Sequence, residues 1–187
     1  MKKITSLIIV FSMLVAMLAC FDVSTAFAAT SGNCGANFGG TNAKWSLNTS
    51  TGVLTISGKG ATKVCGNVGS NQAPWKDSRD KIKSIVVEEG ITALGRYMFY
   101  KCEVAESVSL PSTLTAIGDT KYLEYGTFVD CKALTNVTLP SKLQTIGHAA
   151  FKGCSSLKSI KIPDNVTTIG TSAFEDCTAL STVTFGT

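Results

Sequence analysis

The stretch Phe128-Val-Asp-Cys131-Lys-Ala-Leu134-Thr-Asn-Val137-Thr-Leu139-Pro140-Ser-Lys-Leu143-Gln-Thr-Ile146-Gly147 is followed by a close copy of itself. The copy runs Phe151-Lys-Gly-Cys154-Ser-Ser-Leu157-Lys-Ser-Ile160-Lys-Ile162-Pro163-Asp-Asn-Val166-Thr-Thr-Ile169-Gly170, and a third copy begins Phe174-Glu-Asp-Cys177-Thr-Ala-Leu180-Ser-Thr-Val183-Thr-Phe185. Phe128, Phe151 and Phe174 recur every 23 residues, as do Cys131, Cys154 and Cys177. A fixed period of that size marks a solenoid, in which each repeat buries its apolar edge only by stacking on the next. Within one unit, Val137-x-Leu139 alternates as a short strand and Pro140 ends it. Leu143-x-x-Ile146 turns back across the core. Gly147 is expected to make the corner with positive φ. Ala150-Phe151-x-x-Cys154 reads as a short helical or 3-10 turn with Phe151 at the centre.

The period extends upstream. Ile82-x-x-Ile85-x-Val87 aligns with Leu134-x-x-Val137-x-Leu139, and Gly95, Phe99 and Cys102 fall into the later columns. The core columns are then Phe99, Phe128, Phe151 and Phe174; Cys102, Cys131, Cys154 and Cys177; and Gly95, Gly118, Gly147 and Gly170. Two departures stand out. Phe99 to Phe128 is 29 residues, so an insertion falls between Gly118 and Phe128. Insertions in solenoids project from the surface, which makes Tyr122 and Tyr125 candidate contacts. The competing reading is a longer turn with one tyrosine packed down. The repeats also stop after a strand, so a partner chain, or further sequence, is expected over Val183 and Phe185.

The N-terminus has a different texture. Lys2 and Lys3 precede the apolar run Ile4 to Phe21, and Ala26-Phe27-Ala28 supplies a small-x-small site with cleavage expected before Ala29. That order is a secretory signal peptide over residues 1–28. A membrane anchor and lipidation at Cys20 are the alternatives. No later segment is long and apolar enough to span a bilayer once the signal is cleaved. Cleavage removes Lys2, Lys3 and Asp22 from 17 basic and 13 acidic residues, which leaves a mild, scattered positive surplus. No basic stripe interleaved with aromatics is present, so nucleic acid is not an expected partner.

Residues 29–81 form a second unit. Lys44-Trp45-Ser46-Leu47 and Val53-Leu54-Thr55-Ile56-Ser57 read as two strands joined by a turn at Gly52. A lone hairpin is marginal in water, so this segment is expected to lie on the open end of the solenoid as an N-terminal β-hairpin cap. A separate binding module is the rival. Ala73-Pro74-Trp75 reads as a turn with an aromatic plug. Cys34 and Cys65 lie outside the repeat column, and a disulfide between them would close this segment. The column cysteines are expected to be buried thiols, behaving as small hydrophobes.

No catalytic, metal-binding or cofactor-binding constellation emerges. His148 is the only histidine and occupies a variable slot after Gly147, read as a solvated surface position. One histidine and widely spaced cysteines do not make a zinc site. Glu88 and Glu89 read as solvated. What remains is a face. Strand positions pointing away from the core form one column through Ser107, Asn136, Ser159 and Thr182, and another through Ser109, Thr138, Lys161 and Thr184. Small hydroxyls and amides on a flat, nearly neutral surface suit docking to protein or glycan. The bland alternative is that Ser and Thr simply suit exposed strands.

The pattern Leu-x-x-Val-x-Leu-Pro-x-x-Leu/Val-x-x-Ile-Gly-x-x-Ala-Phe-x-x-Cys resembles the BspA-like leucine-rich repeat family, over residues 82–187 in about five coils. The Trp45 to Gly60 hairpin and Pro74-Trp75 resemble the segment that often precedes such arrays. The resemblance implies a right-handed leucine-rich repeat solenoid, mainly β with short helical or 3-10 turns. It also implies a secreted or cell-surface bacterial protein, without enzymatic activity or cofactors, that binds a protein or glycan and in some members mediates adhesion.

Overall fold

A computed structural model describes residues 30–37, 40–121 and 126–186. Two sheets run down a stack of coils. The larger has eight strands in the order β1 (Thr30–Asn33), β2 (Ala43–Asn48), β3 (Val53–Gly58), β5 (Ser84–Val87), β7 (Ser107–Ser109), β9 (Asn136–Val137), β11 (Ser159–Ile162) and β13 (Thr182–Phe185). From β3 onward every pair is parallel. The second sheet is a parallel ladder of β4 (Gly60–Ala61), β6 (Ile91–Leu94), β8 (Ala116–Ile117), β10 (Thr145–Ile146) and β12 (Thr168–Ile169).

The register follows the columns of the sequence. Ile85 pairs with Val108, Val108 with Val137, Val137 with Ile160, and Ile160 with Val183. Upstream, Leu54 pairs with Ile85 and Ile56 with Val87. The hairpin therefore contributes a strand to the ladder itself. Strand β2 alternates as expected, with Ala43, Trp45 and Leu47 buried and their neighbours exposed. Gly52 takes φ 76° at the hairpin turn, a conformation that glycine adopts without a Cβ clash.

A column of aromatic rings fills the centre. Phe99 and Phe128 stack at 5.0 Å, Phe128 and Phe151 at 5.3 Å, and Phe151 and Phe174 at 5.5 Å, the last two pairs within 3° of coplanar. Trp75 heads the column, stacked 5.9 Å from Phe99, and Trp45 meets it edge-on at 5.5 Å. Beside the rings runs a second column. The thiols of Cys131, Cys154 and Cys177 donate to the carbonyls of Phe99, Phe128 and Phe151 of the preceding coil at 3.2, 3.3 and 3.1 Å. Each cysteine is thus a small hydrophobe that also ties two coils together.

Two local expectations need correcting. Gly147 does not have positive φ; within its column only Gly118 does, at 73°. The reason for glycine is the closeness of the coils. A Cβ on Gly147 would lie 2.6 Å from the backbone N and O of Asp119, and one on Gly95 would meet the Lys63 carbonyl. In the repeats, left-handed residues instead recur at two corners, with Lys101, Asp130, Gly153 and Asp176 at one and Tyr97, Ala149 and Ser172 at the other. The corners at Phe151 and Cys154 are turns closed by a Cys154 N–H to Phe151 carbonyl bond, without a continuous helix. The described helical elements are two 3-10 turns, Gly69–Asn71 and Lys76–Lys81.

Phe151 is fully buried between two rings. Phe151→Ala is expected to destabilise by about 3–5 kcal/mol. Thermal or denaturant unfolding measures this, and an unchanged midpoint would remove Phe151 from the core.

Candidate functional site

The outward faces of the large sheet bring the sequence-selected residues into one surface. Ser84, Ser107, Asn136, Ser159 and Thr182 are rung partners in a single unbroken row. Ser109 pairs with Val86, and Lys161 with Thr184. All eight candidates on the ladder, Ser107, Ser109, Asn136, Thr138, Ser159, Lys161, Thr182 and Thr184, are exposed. The row continues upstream onto Val53 and Thr55 of β3, an extension that the repeat period alone did not reach. Tyr122 and Tyr125 lie outside the described residues.

The ladder is not uniform. An open groove of about 560 Å³ is lined by the polar Asn136, Thr138, Ser141, Ser159, Lys161, Asp164 and Asn165, with the apolar Val137, Leu139 and Pro163 and with Gly186 among them. Ser107, Ser109, Thr182 and Thr184 flank it without lining it. The turn after each strand shapes it: Asn165 Nδ2 donates to the Ser141 carbonyl at 2.7 Å, and the Gly186 N–H donates to the Ile162 carbonyl at 2.8 Å. Among the described residues, no carboxylate lies within ion-pair distance of Lys161. Its ammonium presents three donors to solvent. The groove therefore offers hydroxyls, amides, one cation and one carboxylate at Asp164. That inventory can both donate and accept hydrogen bonds.

His148 departs from the sequence reading. It is buried, at 8% exposure. Its Nδ1 accepts the Thr171 N–H at 2.8 Å, and its Nε2, assigned as protonated from this network, donates to the Thr120 carbonyl at 2.7 Å. Thr120, at the start of the insertion, supplies that carbonyl, and the ring is enclosed. Glu89, one residue after the position where later coils have proline, accepts the Ser112 N–H at 2.8 Å and its hydroxyl at 3.1 Å. The Ser112 amide holds its carboxyl below the usual glutamate range. Among the described residues, no cluster of three or more His, Cys, Asp or Glu could hold a metal ion. No described helix is long and apolar enough to cross a membrane.

The cysteines are chemically quiet. Burial pushes the Cys102 thiol up to about 12. Burial likewise raises Cys131, Cys154 and Cys177, with neighbouring column thiols adding to the effect at Cys131 and Cys154. A thiol is the weak form of the nucleophile.

Comparison with known families gives a match to the BspA type leucine rich repeat region, in six copies over residues 77–187. Among solved structures, a leucine-rich repeat protein from Eubacterium ventriosum is 27% identical with a TM-score of 0.60, covering 84% of this chain and 45% of that one. The T. pallidum leucine rich repeat protein is 23% identical with a TM-score of 0.52, covering 74% and 66%. A leucine-rich repeat protein from Bacteroides ovatus is 24% identical with a TM-score of 0.51, covering 79% and 41%. This chain thus spans less than two thirds of the length of each. No curated protein matches it.

The raised thiols set a pH dependence. In the unfolded chain the column cysteines ionise near their ordinary value of 9.0, whereas in the folded chain Cys102 holds its proton to about 12. The unfolded state then binds fewer protons, so stability falls as pH rises across that window and is unaffected by these groups below it. Chemical denaturation at about pH 8 and about pH 10.5 measures the loss, and Cys154→Ala is expected to make the fall shallower.

Proposed function

Because this chain belongs to the BspA-type leucine-rich repeat family, we propose that it is a secreted or cell-surface binding protein that docks a protein or glycan partner on its ladder face. The observation that carries this is the unbroken row of small polar side chains in register across five strands, half-buried at Ser84 and exposed from Ser107 to Thr182. The groove around Lys161 shares Asn136 and Ser159 with that row. Such a face contributes many directional hydrogen bonds beside the apolar surface of Val137, Leu139 and Pro163, which suits a ligand with both polar and apolar groups held over several coils. Adhesion is the biological use we favour.

Residues 1–28 are read as the signal peptide, 29–81 as the cap and 82–187 as the repeats. The cap reading is supported by β1 and β2, which run antiparallel to their neighbours and so break the parallel pattern at that end. A right-handed winding is favoured by the general rule for parallel crossovers. A non-enzymatic role is supported by the commitment of the reactive groups, since His148 has both ring nitrogens bonded to backbone and the column thiols are buried.

A second reading is a module that stacks on another chain through β13. All four residues of β13 are exposed, with Val183 at 46% and Phe185 at 66%, and Ile169 of β12 beside them is 45% exposed. Sedimentation separates the two: a concentration-dependent dimer that Val183→Lys abolishes supports stacking, and a monomer at all concentrations removes it.

The ladder reading is tested by binding to a panel of glycans and extracellular proteins, with Thr138→Glu and Lys161→Glu as paired variants. Affinity is expected to drop at least about tenfold, or about 1.4 kcal/mol, at an unchanged melting temperature. Unaltered binding would move the site off this face.

A further inference from the structure

Two of the buried thiols have no role in the repeats. Cys34 directly follows β1, Cys65 lies in the loop after β4, and they are 0% and 3% exposed. Unlike the Cys131, Cys154 and Cys177 thiols, theirs donate to no carbonyl among the described residues.

The backbone brings the two together. Gly35 and Thr62 form an antiparallel bridge. On either side of it, the Ala36 N–H donates to the Ala61 carbonyl at 3.0 Å and the Lys63 N–H to the Cys34 carbonyl at 2.7 Å. Cys34 is thus opposite Lys63, and Cys65 is two residues further on. Diagonal positions across such a pair are about 7–8 Å apart at Cα, and a disulfide spans up to about 6.8 Å. A small shift of the turn around Val64 closes that gap. The side chains are already near: a thiolate at Cys65 is felt at Cys34, second only to burial in pushing its pKa up to about 12.

We propose that Cys34 and Cys65 are a disulfide-forming pair that covalently fastens the segment after β1 to the loop after β4, while the four column cysteines remain thiols. The chemistry is exchange with an external disulfide, either a small-molecule disulfide or a disulfide oxidoreductase. The Cys65 thiolate attacks it, forms a mixed disulfide and expels one thiolate. The Cys34 thiolate then attacks the Cys65 sulfur and expels the second. The two protein thiols give up two protons and two electrons, and the reagent leaves as two thiols. Cys65 is the entry point of the two: burial raises its thiol to about 11, against about 12 for Cys34, because Arg79 as well as Lys63 offsets the burial there. The Arg79 Nε and Nη2 are buried with no hydrogen-bond acceptor, so a developing negative charge at that sulfur has a cation waiting. The closed loop would enclose β2, β3 and β4, the strands that begin both ladders. This inference is independent of where on the surface a ligand docks.

The test is peptide mapping of the purified protein after equilibration with oxidised glutathione, followed by denaturation and alkylation. A Cys34–Cys65 linked peptide is expected, with Cys102, Cys131, Cys154 and Cys177 all alkylated. Reductant should then lower the melting temperature of the oxidised protein by roughly 10 °C, and a Cys34→Ser/Cys65→Ser variant should melt identically with and without reductant. Full alkylation of Cys34 and Cys65 after oxidation, a link that includes a column cysteine, or a wild-type melt indifferent to reductant would each overturn the proposal.

Discussion

The spacing between adjacent coils governs everything else. Parallel strands hold neighbouring backbones about 4.8 Å apart, and this chain carries two such ladders on different sides of each coil. Whatever lies inside must repeat at that interval. Benzyl rings do so, with centroids 5.0–5.5 Å apart and nearly coplanar in the later pairs. A thiol does so by reaching a carbonyl one coil back. A Cβ at Gly147 or Gly170 cannot, because the neighbouring backbone already occupies its place. One distance thus selects phenylalanine, cysteine and glycine at three separate columns.

That is why the repeats were legible in the sequence. A residue whose neighbours are its own copies has its environment written in the period, so Phe128, Cys154 and Val137 could be placed on the core side from spacing alone. The chain was harder to read where its neighbours are not copies. Trp75 reads as a plug and is one, but the sequence does not show that it precedes Phe99 by nearly one period and stacks on it as the first ring of the column. His148 reads as solvated because its counterparts in other coils are variable. The insertion, which has no counterpart, supplies the carbonyl that encloses it. At Gly147 the sequence does not reveal why glycine is there, since close approach and positive φ both demand glycine and leave the same mark in a sequence.

The candidate site was legible in part. Alternation placed Ser107 through Thr184 on the outer face, and the register puts them in rows. The groove was not visible, because it depends on the turns after the strands. Ser141, Asp164 and Asn165 occupy variable positions whose orientation is decided by contacts between coils. Side chains on the ladder are interchangeable without cost to the core, so the scaffold leaves this surface free to diversify.

The left-handed corners carry a further consequence. Lys101, Asp130 and Asp176 hold a backbone conformation that disfavours side chains, at the position where Gly153 stands in its own coil. Cross-coil amides fasten these bends: the N–H of Asp130 donates to the Lys152 carbonyl and that of Gly153 to the Glu175 carbonyl, both at 2.8 Å. The bend is imposed by the adjacent coil more than chosen by the residue. A single repeat cut free as a peptide would have no reason to keep its shape, and the smallest heritable unit of this architecture is smaller than its smallest folding unit. Duplicating one 23-residue segment adds structure only where a formed coil is already there to template it.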